Sequence, residues 1–296
     1  MKWLSFILLV ILFLNCNWKE DHELEVMTFN IRYGTANDGD NAWENRQSIL
    51  IDCLKKYQPD ILATQESLDF QIEEIMQNFP HWAVFGVGRY HQVELPDRPH
   101  ESLSGESCKV LYDTTKFKLL DQRTFWHSDT PNIAGSMTWG NDLPRIVTWG
   151  IFQNKYTNEK FVLMNTHFHW DEPYVTNTTK LILRKWCEIA NNLPTILLGD
   201  FNLSPNSFAH DAFCGKIDTL AVKGNFIDTW QALNKPETDA GTYNNFKGEK
   251  TRDRIDWILV TPEVKVNNIE IIHYNENGRY PSDHFPVLAQ VELSSK

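Results

Sequence analysis

Along this chain the apolar positions fall into two rhythms, and each switch between them marks an element. Short, nearly continuous apolar runs rich in β-branched and aromatic residues predict buried strands, and apolar positions three and four apart predict helices. Residues 25–30, EVMTFN, read as a first strand ending in Asn30. The polar stretch IRYGTANDGDNAW reads as a loop, with its Gly and Asn residues as the breakers. From Glu44 to Tyr57 the positions Leu50, Cys53, Leu54 and Tyr57 recur at helical spacing until Pro59 stops the pattern. DILAT, residues 60–64, is then a strand that delivers Gln65 and Glu66.

The second half repeats this plan. FVLMNT, residues 161–166, predicts a strand leading to His167, and residues 178–192 carry Leu181, Ile182, Trp186, Ile189 and Ala190 at helical spacing. Pro194 intervenes, and a strand over 195–198 leads to Asp200. In both units a proline separates helix from strand, and an acid follows it six or seven residues on (Pro59 to Glu66, Pro194 to Asp200). Such a duplication suggests an α/β fold of two packed sheets with helices outside, each sheet offering strand ends to one shared edge. Residues 110–112 with 117–120, and 146–152 with 161–164, read as antiparallel pairs. Residues 255–260 and 287–293 add two more strands.

Polar residues gather at the ends of these runs. In TILLGDFN, residues 195–202, Asp200 and Asn202 would face one way if the strand continued through them. The same pair could instead form an Asx turn. Asp256 interrupts the apolar strand RIDWILV, where an unpaired charge costs several kcal/mol, so it needs a partner. Either a site network or the nearby Arg252 and Arg254 could supply one. Asp283 and His284 lie between Pro281 and Pro286, which favour a bend that turns both side chains toward one place. His100, His210 and His273 lack such company and read as surface or satisfied core residues.

Composition narrows the class. Hydrophobic residues at 42%, with 11 Trp and 17 Phe, are ample for one large core. A net charge of −11 argues against a wide basic face for duplex nucleic acid. Residues 1–15, with Lys2 before the apolar run from Trp3 to Leu14, have the length of a signal segment and are too short to span a bilayer. Cys16 follows in FLNC, which resembles a lipobox apart from Asn15. The expectation is therefore an exported protein, anchored through a lipidated Cys16 or cleaved as a plain secreted or periplasmic one. Residues 16–24 would then be a short linker and 25–296 a single domain. Cys53, Cys108, Cys187 and Cys214 contain no C-x-x-C pair, which indicates neither zinc nor redox chemistry. Cys53 and Cys187 fall in helical patterns and read as buried thiols.

The ordered set MTFNIR, ATQES, NTHF, LLGDFN, RIDWILV and YPSDHFPV resembles the endonuclease/exonuclease/phosphatase family, in particular its secreted bacterial members. The resemblance implies a deoxyribonuclease-like four-layered α/β sandwich and a metal-dependent phosphoester hydrolase acting by in-line attack of water. By that likeness Glu66, with Asn30 beside it, would hold Mg²⁺ or Mn²⁺, hard ions suited to oxygen ligands. Asp200 would orient or deprotonate the water, Asn202 would hold a phosphate oxygen or that water, and His167 would donate to a phosphoryl oxygen. His284 would bind the phosphate or assist Asp200, oriented by Asp283 or Asp256. Arg32, Arg89 and Arg145 are candidate phosphate clamps. Two departures stand out: His169 and Trp170 replace an acid and a histidine, and Glu106 is either a further ligand or an edge carboxylate. The expected partner is a phosphoester substrate, be it nucleic acid, nucleotide, sugar phosphate or phospholipid headgroup, met by a monomer. The competing reading, a surface binding module that kept the fold and lost the chemistry, predicts replaced site residues. None of the six catalytic positions is replaced.

Overall fold

The computed structural model describes residues 22–93, 105–219 and 222–293. The apolar segment 1–15, Cys16, most of residues 16–24 and His100 lie outside the described residues. Twelve strands form two six-stranded sheets, ordered β11-β12-β1-β2-β4-β3 and β5-β6-β7-β8-β10-β9. The first contains β1 (Glu23–Asn30), β2 (Ile61–Gln65), β3 (Trp82–Phe85), β4 (Val110–Asp113), β11 (Val264–Ile271) and β12 (Val287–Leu293). The second contains β5 (Phe117–Trp126), β6 (Ile146–Asn154), β7 (Lys160–His167), β8 (Thr195–Asp200), β9 (Ile227–Asp228) and β10 (Asp256–Val260).

The duplicated unit is present. β1 and β2 pair in parallel across helix α1 (Trp43–Tyr57), and β7 and β8 pair in parallel across the helix Tyr174–Ala190. Both helices stop the same way, at a left-handed polar residue (Gln58 and Asn191, each with φ 43°) shortly before Pro59 and Pro194. One apolar cluster joins the sheets face to face, with Val26, Ile61 and Val110 from one meeting Phe152, Leu163 and Ile258 from the other. The outer faces are closed by two further clusters. α1 and α2 (Asp69–Asn78) cover the first sheet, and the helix Tyr174–Ala190, hereafter α3, covers the second with α4 (Phe208–Phe213). The result is the expected four layers, helix, sheet, sheet, helix.

Two expectations fail here. Residues 110–112 and 117–120 are not a hairpin: β4 pairs with β2 and β3, whereas β5 pairs with β6 in the opposite sheet. The short link between them crosses from one sheet to the other, and a period-2 pattern is the same whichever sheet receives the strand. Residues 146–152 and 161–164 do pair, with Phe152 opposite Phe161. Cys187 is exposed rather than buried, because it falls on the solvent side of α3, while Cys53 is fully buried on α1.

Candidate active site

Strand direction brings the reactive groups to one edge. β1, β2, β7 and β8 all end there, with Asn30 beside Gln65 and His167 beside Asp200 in parallel register. β10 runs the other way, so its first residue, Asp256, faces Asp200. β12 is antiparallel to β1, which places the preceding Asp283 and His284 at the same edge. At Gly199 the backbones come close: a Cβ there would sit 2.0 Å from the Thr166 carbonyl oxygen, and φ is +147°, so only glycine fits before Asp200.

Asp200 is the hub. It is buried, and one oxygen, Oδ2, takes a hydrogen bond from Asn30 Nδ2 at 3.0 Å and lies 3.4 Å from His167 Nε2 and 3.8 Å from His284 Nε2. The other oxygen accepts from Asn202 N at 2.9 Å. Of the two sequence readings of this pair, the Asx turn holds and the continuing strand does not. The strand ends at Asp200, the Asx turn forms, and Asn202 in a left-handed conformation (φ 52°) swings its amide back into the site. There Asn202 Nδ2 donates to Phe168 O and to His167 Nε2, both at 3.0 Å. His167 Nε2 is thus an acceptor, and the proton of the neutral ring sits on Nδ1. Burial, then the Arg145 charge, holds His167 well below the ordinary imidazole range.

His284 is the opposite case. Burial disfavours its charge, but the carboxylates of Asp256 and Asp200 override that and raise it well above the usual range. Its Nδ1 meets Asp256 Oδ2 at 2.9 Å, which settles the partner of Asp256 in favour of the site and not Arg252 or Arg254. Asp256 Oδ1 is buried without a hydrogen bond. Burial, and then the charge of Asp256, pushes Asp200 up to about 7. Asp283 contacts Ser282 Oγ at 3.2 Å and lies 3.9 Å from Arg32 Nε, away from His284 Nδ1.

The other wall is acidic. Glu66, in a left-handed conformation (φ 56°), accepts from Asn30 Nδ2 at 3.0 Å and from Tyr33 N at 3.3 Å. Asn30 turns its nitrogen to Glu66 and Asp200 and its oxygen to Arg32 N, so it bridges two carboxylates instead of standing as an oxygen ligand. Ligand atoms of Glu66, Glu106 and His167 lie within 4.8 Å of one another, as do those of Asp200, Asp256 and His284. The first group opens to the cleft and has two carboxylates, the donor chemistry that suits a hard divalent ion. The second is committed internally through the Asp256–His284 bond.

The three arginines differ. Arg32 is held by Asp38 through two 3.0 Å bonds, and Arg89 Nη2 is 2.8 Å from Glu106 Oε1. Nε is unpartnered in both Arg89 and Arg145, but Arg89 is tied to Glu106, which leaves Arg145 the best placed of the three for an incoming anion. Sequence reasoning gave Arg46 no role. Its buried guanidinium donates to Ile31 O, Arg32 O and Pro281 O at 2.7–2.9 Å, tying the end of β1 to the segment that carries Asp283 and His284. The rim residues Tyr243 and Thr251 also went unread, and Arg252 was considered only as a partner for Asp256, since all three lie in irregular chain without a periodic signal. With Glu66, Glu106, Arg145, His167, Asp200 and His284 these rim residues line a cleft of about 1060 Å³.

A two-sheet α/β sandwich whose shared edge carries this mixture of carboxylates, imidazoles and buried guanidinium groups defines a hydrolase of phosphoester bonds. The chain belongs to the Endonuclease/Exonuclease/phosphatase family, whose profile matches residues 27–284. A protein of Acanthamoeba polyphaga mimivirus is 30% identical over 255 residues, 83% of this chain and 91% of that one. The crystal structure of an endonuclease/exonuclease/phosphatase from Bacteroides vulgatus is similar with a TM-score of 0.80 and 30% identity, over 92% of this chain and 99% of that one. The mannosyl-6-phosphatase of Bacteroides thetaiotaomicron gives a TM-score of 0.77 and 30% identity, over 90% and 99%. Other curated relatives are longer, and this chain spans 36–58% of their length.

Proposed function

We propose that the protein is a divalent-metal-dependent phosphoester hydrolase in which Asp200 activates the attacking water. The observation that carries this is the placement of the Asp200 carboxylate between Asn30 and the Asp256–His284 pair, with burial raising it to about 7, near the pH at which a general base works best. The acceptor oxygen of Asp200 takes the water proton. His284, charged against Asp256, faces the same space through Nε2 and stabilises negative charge on the phosphoryl group. Arg145 adds its guanidinium, and His167 contributes its Nδ1 proton while Asn202 fixes the ring. Glu66 and Glu106 would hold Mg²⁺ or Mn²⁺, which when bound draws charge from the phosphoryl and leaving oxygens. The apolar segment 1–15 supports export, and Cys16 supports lipid anchoring; Cys16→Ser should then move the protein from the membrane fraction to the soluble one.

The test is a substrate panel. Bis-nitrophenyl phosphate, nitrophenyl phosphate, an oligonucleotide, sphingomyelin and mannose 6-phosphate, chosen because of the substrate of the Bacteroides thetaiotaomicron relative, are assayed with Mg²⁺ or Mn²⁺ and then with chelator. Turnover of at least one, abolished by chelator and restored by metal, is expected. Absence of metal-dependent turnover on all of them would leave the binding-module reading standing.

A further inference from the structure

Of the large apolar side chains exposed among the described residues, Trp170 is the one that lines the cleft. It is 57% exposed, a costly place for the largest apolar ring unless something covers it. The ring is also braced. It stacks on His169 with centroids 4.5 Å apart and planes 12° from parallel; His169 is buried, touched edge-on by Tyr174 at 5.4 Å, and takes a hydrogen bond on Nδ1 from Asp171 N. One face is therefore occupied and fixed, and the rest of the indole remains available to a ligand. The charges nearest its stacking partner are acidic. Asp142 Oδ1 and Asp171 Oδ2 each lie 3.7 Å from a nitrogen of His169, and both carboxylates are largely exposed.

Resting on the hydrolase reading above, we propose that Trp170 is the platform for the leaving group and that it selects a neutral, hydroxyl-bearing ring, the sugar of a sugar phosphate. The C–H face of such a ring packs on an aromatic face, and its hydroxyls donate to the Asp142 and Asp171 carboxylates. A nucleic-acid strand requires a basic track beside its stacking residues, and the groups flanking the stacking partner of Trp170 are two acids.

The experiment compares a hexose 6-phosphate, glycerol phosphate and a single-stranded oligonucleotide on wild type, Trp170→Ala, Trp170→Phe and the double variant Asp142→Asn/Asp171→Asn. For the hexose phosphate, Trp170→Ala should raise KM about 10-fold with kcat nearly unchanged, Trp170→Phe should recover most of it, and the double variant should also raise KM. Glycerol phosphate, which has no ring, should show unchanged kinetics in Trp170→Ala and Trp170→Phe. Equal effects on ring and ringless substrates, or none, would overturn the platform while leaving the hydrolase intact. Oligonucleotide cleavage that weakens in Trp170→Ala and improves in the double variant would overturn the sugar assignment. A wild-type enzyme inert toward every phosphoester with metal would instead sink the hydrolase reading itself.

Discussion

Two aspartates on neighbouring strands of one sheet each meet a histidine at a nitrogen-to-oxygen distance of 2.9 Å, and the two pairs do different things. Asp228, the last residue of β9, meets His210 in the core. Arg254 Nη2 lies 2.7 Å from the same carboxylate, and Trp230 N caps its second oxygen. Burial works against this acid, but His210 and Arg254 outweigh it and hold it below the usual carboxylate range. Asp256, at the start of β10, has His284 and no fixed cation. Its second oxygen is unsatisfied, and another acid, Asp200, stands beyond the imidazole. The comparison teaches that the pair alone confers no reactivity. A guanidinium on one side makes the pair a strut; an acid and an open cleft on the other turn the imidazole toward the site.

The largest expected effect tests the cleft pair. Asp256→Asn should lower kcat roughly 10²- to 10⁴-fold, because His284 loses the group that orients and charges it, while the melting temperature moves by only a few degrees. Steady-state rates beside thermal unfolding check this, and a rate within tenfold of wild type would make Asp256 another strut. Asp228→Asn should do the reverse, costing about 3–5 kcal/mol by leaving Arg254 without its buried counter-charge, with kcat per folded molecule retained. Urea titration measures the loss, and an inactive but fully stable variant would exchange the two roles. Glu66→Gln should raise the metal concentration for half-maximal rate roughly tenfold or more and leave both pairs untouched; an unmoved titration places the ion elsewhere. The smallest effect is in pH. Since burial and Asp256 raise Asp200 to about 7, kcat/KM should fall below that pH as the carboxylate gains a proton and can no longer accept one, and Asp200→Asn should lack this limb.

Local features of the chain announced the four layers and most of the floor. Pro59 and Pro194 mark the same junction twice, and the residues beyond them, Glu66 and Asp200, reach the same edge because parallel strands end together. What stayed hidden was partnership over distance. Arg254 is two residues from Asp256 in sequence, yet it binds Asp228, 26 positions away, because it precedes the first residue of β10, where strand alternation no longer sets its direction. The false hairpin at 110–120 has the same origin: the turn is local, but the choice of sheet is decided by faces that meet only after folding. Cys187 shows the limit of helical spacing, which gives a period and leaves the boundary of the buried stripe to the neighbours. Asn202 was open to a strand reading or a turn reading, and its left-handed backbone makes it a turn residue whose amide still returns to the site.

The reactive groups sit at strand ends whose register cannot slip by one residue without turning every side chain over. Trp170, Tyr243 and Arg252 sit on the irregular chain around them. This separation makes the molecule modular for an engineer: a library confined to the rim could search for new substrates while inheriting the hydrolytic step unaltered, so that choice of molecule and breaking of the bond can be varied on independent axes.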